Sequence, residues 1–175
     1  MKSISRFITH RLKLKINQQK SAVARPQERK FLGFSFTGGR HANRKMIAPE
    51  SLQRFQRRVR QLTRRNRQIS LEERVSRLSV YLRGWKAYFG LAETWYVFRD
   101  LDSWIRRRLR CVLWKQWKTY RRRKRELMKR GVPKALATST AWSNRGPWRI
   151  CHTPGVQMAL PNQFFDSIGL PKLSV

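Results

Sequence analysis

The sequence predicts a mainly α-helical protein, a basic three-helix bundle with a small N-terminal α/β portion and a short helical, irregular C-terminal tail. Three observations carry this. Apolar residues recur at steps of three and four from Leu52 to Leu113, which is the period of a helix that buries one face. Helix start and stop residues punctuate that run. Strand-like alternation with a Gly-Gly turn is confined to the stretch before Ala48, too little for a sheet that stands alone.

In order along the chain, Ile4, Phe7, Ile8 and Leu12 form a helical stripe from Ser3 to Leu14, opposite Arg6, Arg11 and Lys13, with Ser3 as the expected cap. Lys15-Ile16-Asn17 and Ser21-Ala22-Val23 read as short extended pieces that Arg25-Pro26 interrupts. Lys30 to Phe36 reads as a strand that returns through Thr37-Gly38-Gly39-Arg40 into Arg44 to Ala48 as a hairpin. A sheet of this kind is completed by another chain, or the sequence is a piece of a longer protein.

Pro49-Glu50-Ser51 marks a helix start, with a proline and an acid where the helix dipole favours them. Leu52, Phe55, Val59 and Leu62 then mark its buried side. Ser70 and Glu73 have capping-box spacing. Leu71, Val75, Leu78, Leu82, Trp85 and Phe89 continue as a heptad-like seam that Gly90 ends. A third helix is expected to open between Arg99 and Asp102 and to run, or kink, into Tyr120 to Arg130, where Gly131-Val132-Pro133 stops it. In the tail, Pro133 opens an Ala-rich helix to about Trp142, Ser143 to Trp148 form a turn, Thr153-Pro154 starts another helix, and Phe164, Phe165, Ile168 and Leu170 are apolar anchors. The tail is either a second small domain or a cover on the bundle.

Charge narrows the partner. The chain has 41 Lys and Arg against 9 Asp and Glu, a net +32, yet 40% of its residues are apolar and it contains seven Trp. That is a folded protein in need of a polyanion, of which nucleic acid is the commonest. A membrane is not expected, since no stretch reaches the ~18 apolar residues of a span. The N-terminus has no secretory pattern, so a cytoplasmic location is expected. Cys111 and Cys151 lack paired-ligand spacing, so neither a zinc site nor a disulfide is expected.

Four stretches in order resemble the group II intron reverse transcriptases, also called maturases. They are Asn17 to Ser21 with Phe31-Leu32-Gly33-Phe34; Tyr81-Leu82-Arg83-Gly84-Trp85 with Tyr88-Phe89; Leu101 to Arg110 with Trp114-Lys115-Gln116-Trp117-Lys118; and Gly146-Pro147-Trp148-Arg149. The resemblance implies a division of the chain. Residues 1–48 are similar to the end of a polymerase palm and residues 49–130 to the helical thumb, domain X or maturase-specific domain. In the family this thumb grips intron RNA and the primer–template duplex. Residues 131–175 are similar to the C-terminal region linked to target DNA. The implied function is RNA binding that assists intron folding and splicing.

The sequence departs from the family's polymerases, whose Tyr-x-Asp-Asp turn holds metal ions for nucleotide transfer. No such turn is present, and Glu72-Glu73 and Asp100-Leu101-Asp102 read better as acids at helix N-termini. The family's His-Asn-His endonuclease pattern is missing as well. The expectation is therefore a truncated frame, one part of a split enzyme that joins an upstream reverse transcriptase fragment and clamps the primer–template duplex, or an inert gene fragment, with no catalyst and no cofactor of its own. Magnesium would serve only the polymerase part.

The candidate RNA contacts follow from this. Lys20 lies near nucleotide or template in the family motif, or is a solvated lysine at a strand end. Arg54, Arg57, Arg58, Arg64 and Arg65 belong to seven arginines within fourteen residues that have no acid between them, a surplus that intrahelical pairs do not neutralise. Arg106, Arg107, Arg108 and Arg110 either contact RNA or pair structurally with Glu93, Asp100 or Asp102. Arg121, Arg122, Arg123, Lys124 and Arg125 form an RNA-facing run. Arg83, Lys115 and Lys118 complete the set. Trp85, Tyr88, Phe89, Trp104, Trp114 and Trp117 either stack on bases or pack in the core, which their helical spacing favours, whereas Trp142 and Trp148 are evenly open between the two.

Overall fold

A computed structural model of the chain describes residues 2–17, 21, 23–39, 44–64 and 69–174. Its elements are helix α1 (Lys2–His10), a short 3-10 turn (Pro26–Glu28), strands β1 (Phe34–Phe36) and β2 (Lys45–Ile47), and helices α2 (Pro49–Leu62), α3 (Leu71–Phe89), α4 (Trp95–Gln116), α5 (Tyr120–Lys129), α6 (Lys134–Trp142), α7 (Pro147–Ile150), α8 (Pro154–Ala159) and α9 (Asn162–Ser167). The protein is mainly helical, with one two-stranded antiparallel sheet among the described residues.

The hairpin pairs Phe34 with Ile47, Ser35 with Met46 and Phe36 with Lys45. The strand expected from Lys30 is shorter than its composition implies. Phe31 and Phe34 exchange two backbone hydrogen bonds of 2.9 Å, and between them Leu32 and Gly33 take φ of 50° and 80°. The chain therefore turns tightly before β1 begins. Gly33 suits the site twice over, because a Cβ there would also lie 3.0 Å from Ser51 Oγ and 3.2 Å from the Phe89 ring. The Glu93 amide donates to Lys45 O at 2.9 Å, so the turn between α3 and α4 holds the end of the hairpin.

An aromatic seam joins this hairpin to the bundle. Phe34 packs on Phe89 at 5.2 Å, Phe89 on Trp85 at 4.8 Å, Trp85 on Phe55 at 4.3 Å, and Phe98 meets the edge of Trp85 at 5.8 Å. Around it Val59, Leu78, Leu82, Ile105 and Leu109 are buried. Each such side chain contributes on the order of 1.5–3 kcal/mol by leaving water. The core spacing of Trp85, Phe89, Trp114 and Trp117 is met by burial, and Trp104 is half-buried, but Tyr88 is exposed and bonds through its hydroxyl to Leu32 O at 2.9 Å.

Several local expectations are corrected. Ser3 lies within α1 and does not cap it, and the apolar Ile4, Phe7 and Leu12 are exposed. Half of the capping box forms: Ser70 Oγ accepts from the Glu73 amide at 3.1 Å, while Glu73 Oε1 accepts from Arg77 Nε at 2.6 Å. Helix α4 starts at Trp95, so Asp102 lies two turns inside it rather than at its N-terminus. The basic run after Trp117 is a separate helix, α5, capped by Thr119 Oγ1, which accepts from the Arg122 amide.

The tail is a cover on the bundle. Asp102, only 3% exposed, accepts from the amides of Leu173 and Ser174 and from the Ser174 hydroxyl at 2.7–3.1 Å. From α3, Ser79 Oγ donates to Gly169 O and Lys86 Nζ to Lys172 O. Phe165 and Leu160, earlier in the tail, are fully buried.

Candidate nucleic-acid interface

Helices α2 and α3 lie side by side, and the residues that their cores leave outside form a basic groove. On α2 the inward positions are Phe55, Val59 and Leu62. Arg54, Arg57 and Arg58 fall between the inward positions and are exposed, as is Arg64 just past the end of the helix. On α3, Arg77 and Tyr81 are one turn apart and face the same groove. A recess of roughly 620 Å³ is lined by Arg58, Gln61, Leu62, Arg64, Arg77 and Val80. A second, of roughly 460 Å³, continues past Arg54, Tyr81, Trp85 and Tyr88 to Leu32 and Gly33. The first recess is lined by cations, and the second sets Arg54 beside the phenol rings of Tyr81 and Tyr88.

The groove's side chains are held lightly. Arg54 donates to Ser51 Oγ and Arg58 to Gln61 Oε1, both at 3.3 Å. The Arg77–Glu73 pair is half-exposed and weak by nature. Tyr81 stacks on Phe55 at 5.7 Å. Burial pushes its hydroxyl above the usual phenol range, and the charges of Arg58 and Arg54 only partly oppose this. Tyr81 therefore remains a neutral donor at physiological pH. Arg77 and Tyr81 are missing from the sequence-based set, and Tyr88 is weighed there as a stacking ring but assigned to the core, although helical spacing places all three on one side of α3.

The arginines of α4 behave differently, since successive residues turn by ~100° and each meets its own partner. Arg106 lies 3.8 Å from Asp166. Arg107 donates twice to Trp148 O, at 3.0 and 2.7 Å, with its guanidinium 4.0 Å from that indole's centre. Arg108 donates to Thr63 Oγ1 at 2.8 Å and lies over Trp104. Arg110 is buried and donates to Leu160 O and Asn162 Oδ1, and burial lowers its pKa. These four groups tie α4 to the tail and to the end of α2. Their structural partners are not the expected acids: Glu93 accepts from the Lys45 amide, Asp100 lies beside Arg99, and Asp102 holds the tail backbone.

On α5, Arg121, Arg122 and Arg125 are exposed and Lys124 is half-buried. Arg123 turns inward, donating to Trp117 O at 2.9 Å and lying 4.8 Å over Trp114. Lys115 and Lys118 are exposed where α4 ends, and Arg83 is exposed on α3 roughly 200° round the helix from Tyr81. Lys20 and Arg65 lie outside the described residues. Among the described residues no three His, Cys, Asp or Glu side chains cluster as a metal site, and no helix is long and apolar enough to cross a membrane.

The class defined by this architecture is a strongly basic helical domain with an arginine-lined groove. Within it, residues 52–131, from α2 through α5, match the family model of the group II intron maturase-specific domain. That match is consistent with the C-terminal part of a maturase. No curated protein matches the sequence.

Proposed function

We propose that the α2–α3 groove binds the phosphate backbone of structured intron RNA and so assists the intron to fold and splice, the RNA supplying the splicing chemistry. The observation that carries this is the set of cations that α2 and α3 present, Arg58, Arg64 and Arg77 lining one recess and Arg54 lining another with Tyr81 and Tyr88. Neutralising phosphates there releases counterions, which makes affinity steeply salt-dependent. A-form helices hide their base edges in a deep groove, so recognition runs through shape and unpaired loops. The cationic half of α5 extends the same field, and a cytoplasmic location fits this role.

The test is a triple variant, Arg54→Gln, Arg58→Gln and Arg64→Gln, titrated with folded intron RNA over a range of salt. The expected result is weaker binding and a log–log salt slope flatter by about one unit per arginine removed. Unchanged affinity and slope would overturn the assignment. Arg107→Gln serves as the contrast: it is expected to leave the slope unchanged, because its guanidinium is engaged by Trp148.

A further inference from the structure

Helices α5 and α6 lie against each other and bring Tyr120, the first residue of α5, to Trp142, the last of α6. Their rings meet edge to face, with centroids 5.4 Å apart and planes at 88°. That contact fixes the indole without covering it, for Trp142 is 74% exposed. Open recesses adjoin the pair. One, of roughly 710 Å³, follows α5 past Lys124 and Met128. The other, of roughly 660 Å³, follows α6 past Ala135 and Thr138.

The charge around the pair has one sign. Arg121, Arg125 and Lys129 border the α5 recess and Lys134 the α6 recess. Glu126, the acid of α5, is hydrogen-bonded to Arg130 and its charge is felt at Lys129, which leaves Arg121, Arg125 and Lys134 in excess. An apolar protein surface laid here would leave these cations uncompensated. An unpaired RNA segment satisfies both features, since its base stacks on the indole and its flanking phosphates meet the cations. A paired strand does not, because its bases are already stacked on one another.

We infer that Trp142, backed by Tyr120, is a stacking platform for an unpaired base of the bound RNA, with Arg121, Arg125 and Lys134 taking the adjacent phosphates. This rests on the reading of the α2–α3 groove as an RNA site, because the strand it receives is a loop of the RNA held there. The site is sequence-tolerant, as every base has a stacking face.

The experiment uses the full chain with three labelled probes: an unstructured oligoribonucleotide of about ten residues, the oligodeoxyribonucleotide of the same sequence, and a blunt RNA duplex. Trp142→Ala is expected to weaken binding of the single-stranded RNA about tenfold, the scale of one lost base stack. Trp142→Phe is expected to retain most of the affinity, and the duplex is expected to bind both variants as it binds the parent. Equal affinity of Trp142→Ala for the single strand would overturn the inference, as would an equal loss for the duplex or tighter binding of the deoxy strand. Should Trp142→Ala fail to fold, photo-cross-linking of thiouridine-labelled RNA to the unaltered chain decides: the adduct must map to Trp142 or Tyr120, and adducts confined to other residues refute the platform. Failure of the groove reading is separately visible, as a parent chain that binds the duplex without salt dependence.

Discussion

Arg74 and Arg58 show how differently one residue type is used here. Arg74 is fully buried on α3 and donates to the carbonyls of Leu62 and Arg64 at 3.1 and 2.8 Å. It thereby satisfies the orphan acceptors at the end of α2. Replacing it with Met removes the donor from the buried Leu62 carbonyl and the part-buried Arg64 carbonyl, and the expected cost is about 1–3 kcal/mol in urea unfolding. Arg58, exposed on α2, is expected to change stability by less than ~0.5 kcal/mol as Arg58→Gln while weakening RNA binding. A stability loss for Arg58→Gln as large as for Arg74→Met would mean that the groove is structural. Asp102 is the acidic counterpart, since its carboxylate gathers the amides of Leu173 and Ser174. Asp102→Asn turns one acceptor into a donor facing those amides, and limited proteolysis is expected to remove the C-terminal strap faster than from the parent. An unchanged cleavage rate would show that the strap is held by Ser79 and Lys86 instead.

Helix α5 is held by charge as well as by packing. Arg130 lies 5.0 Å over Trp117 and pairs with Glu126 one turn earlier. Its hydrogen bond pulls the Glu126 carboxyl below the usual carboxylate range. A carboxyl whose pKa is lowered by folding adds stability above its unfolded pKa and loses it as pH falls through the folded value. Glu126→Gln is therefore expected to destabilise the protein by roughly 0.5 kcal/mol near neutral pH and to match the parent in acid, below both values; a deficit independent of pH would deny the ion pair its role. Such an element is only half legible in sequence. Pro49, Ser70, Gly90, Pro133 and Thr153-Pro154 mark real boundaries because start and stop signals act within a few residues. Leu32-Gly33 was hidden inside an apolar run because its turn is fixed by Ser51 and Phe89, which are remote in the chain. The groove arginines of α2 were legible because helical spacing alone puts them outside. The fate of Arg107 and Arg110 was not, since their acceptors are carbonyls in the tail, and carbonyls leave no trace in composition.

At the scale of the molecule the governing quantity is the net charge of +32. Like charges on a compact body repel one another and favour expansion, and salt relieves that repulsion over a Debye length of about 10 Å at 0.1 M. The melting temperature of the free chain is therefore expected to rise as salt is added from about 20 to 200 mM. Bound RNA acts in the opposite sense. It stabilises the fold in proportion to its binding energy, by about 2.7 kcal/mol at a hundredfold excess over Kd, and that affinity decays with salt. The gap in melting temperature between complex and free chain should consequently be widest in dilute buffer and close as salt increases, the free protein rising while the gain from RNA shrinks. Scanning calorimetry with and without folded intron RNA measures both limbs at once. A free chain indifferent to salt would show that its cations are already neutralised within the fold. A gap that persists at high salt would show that contacts other than phosphate neutralisation hold the RNA.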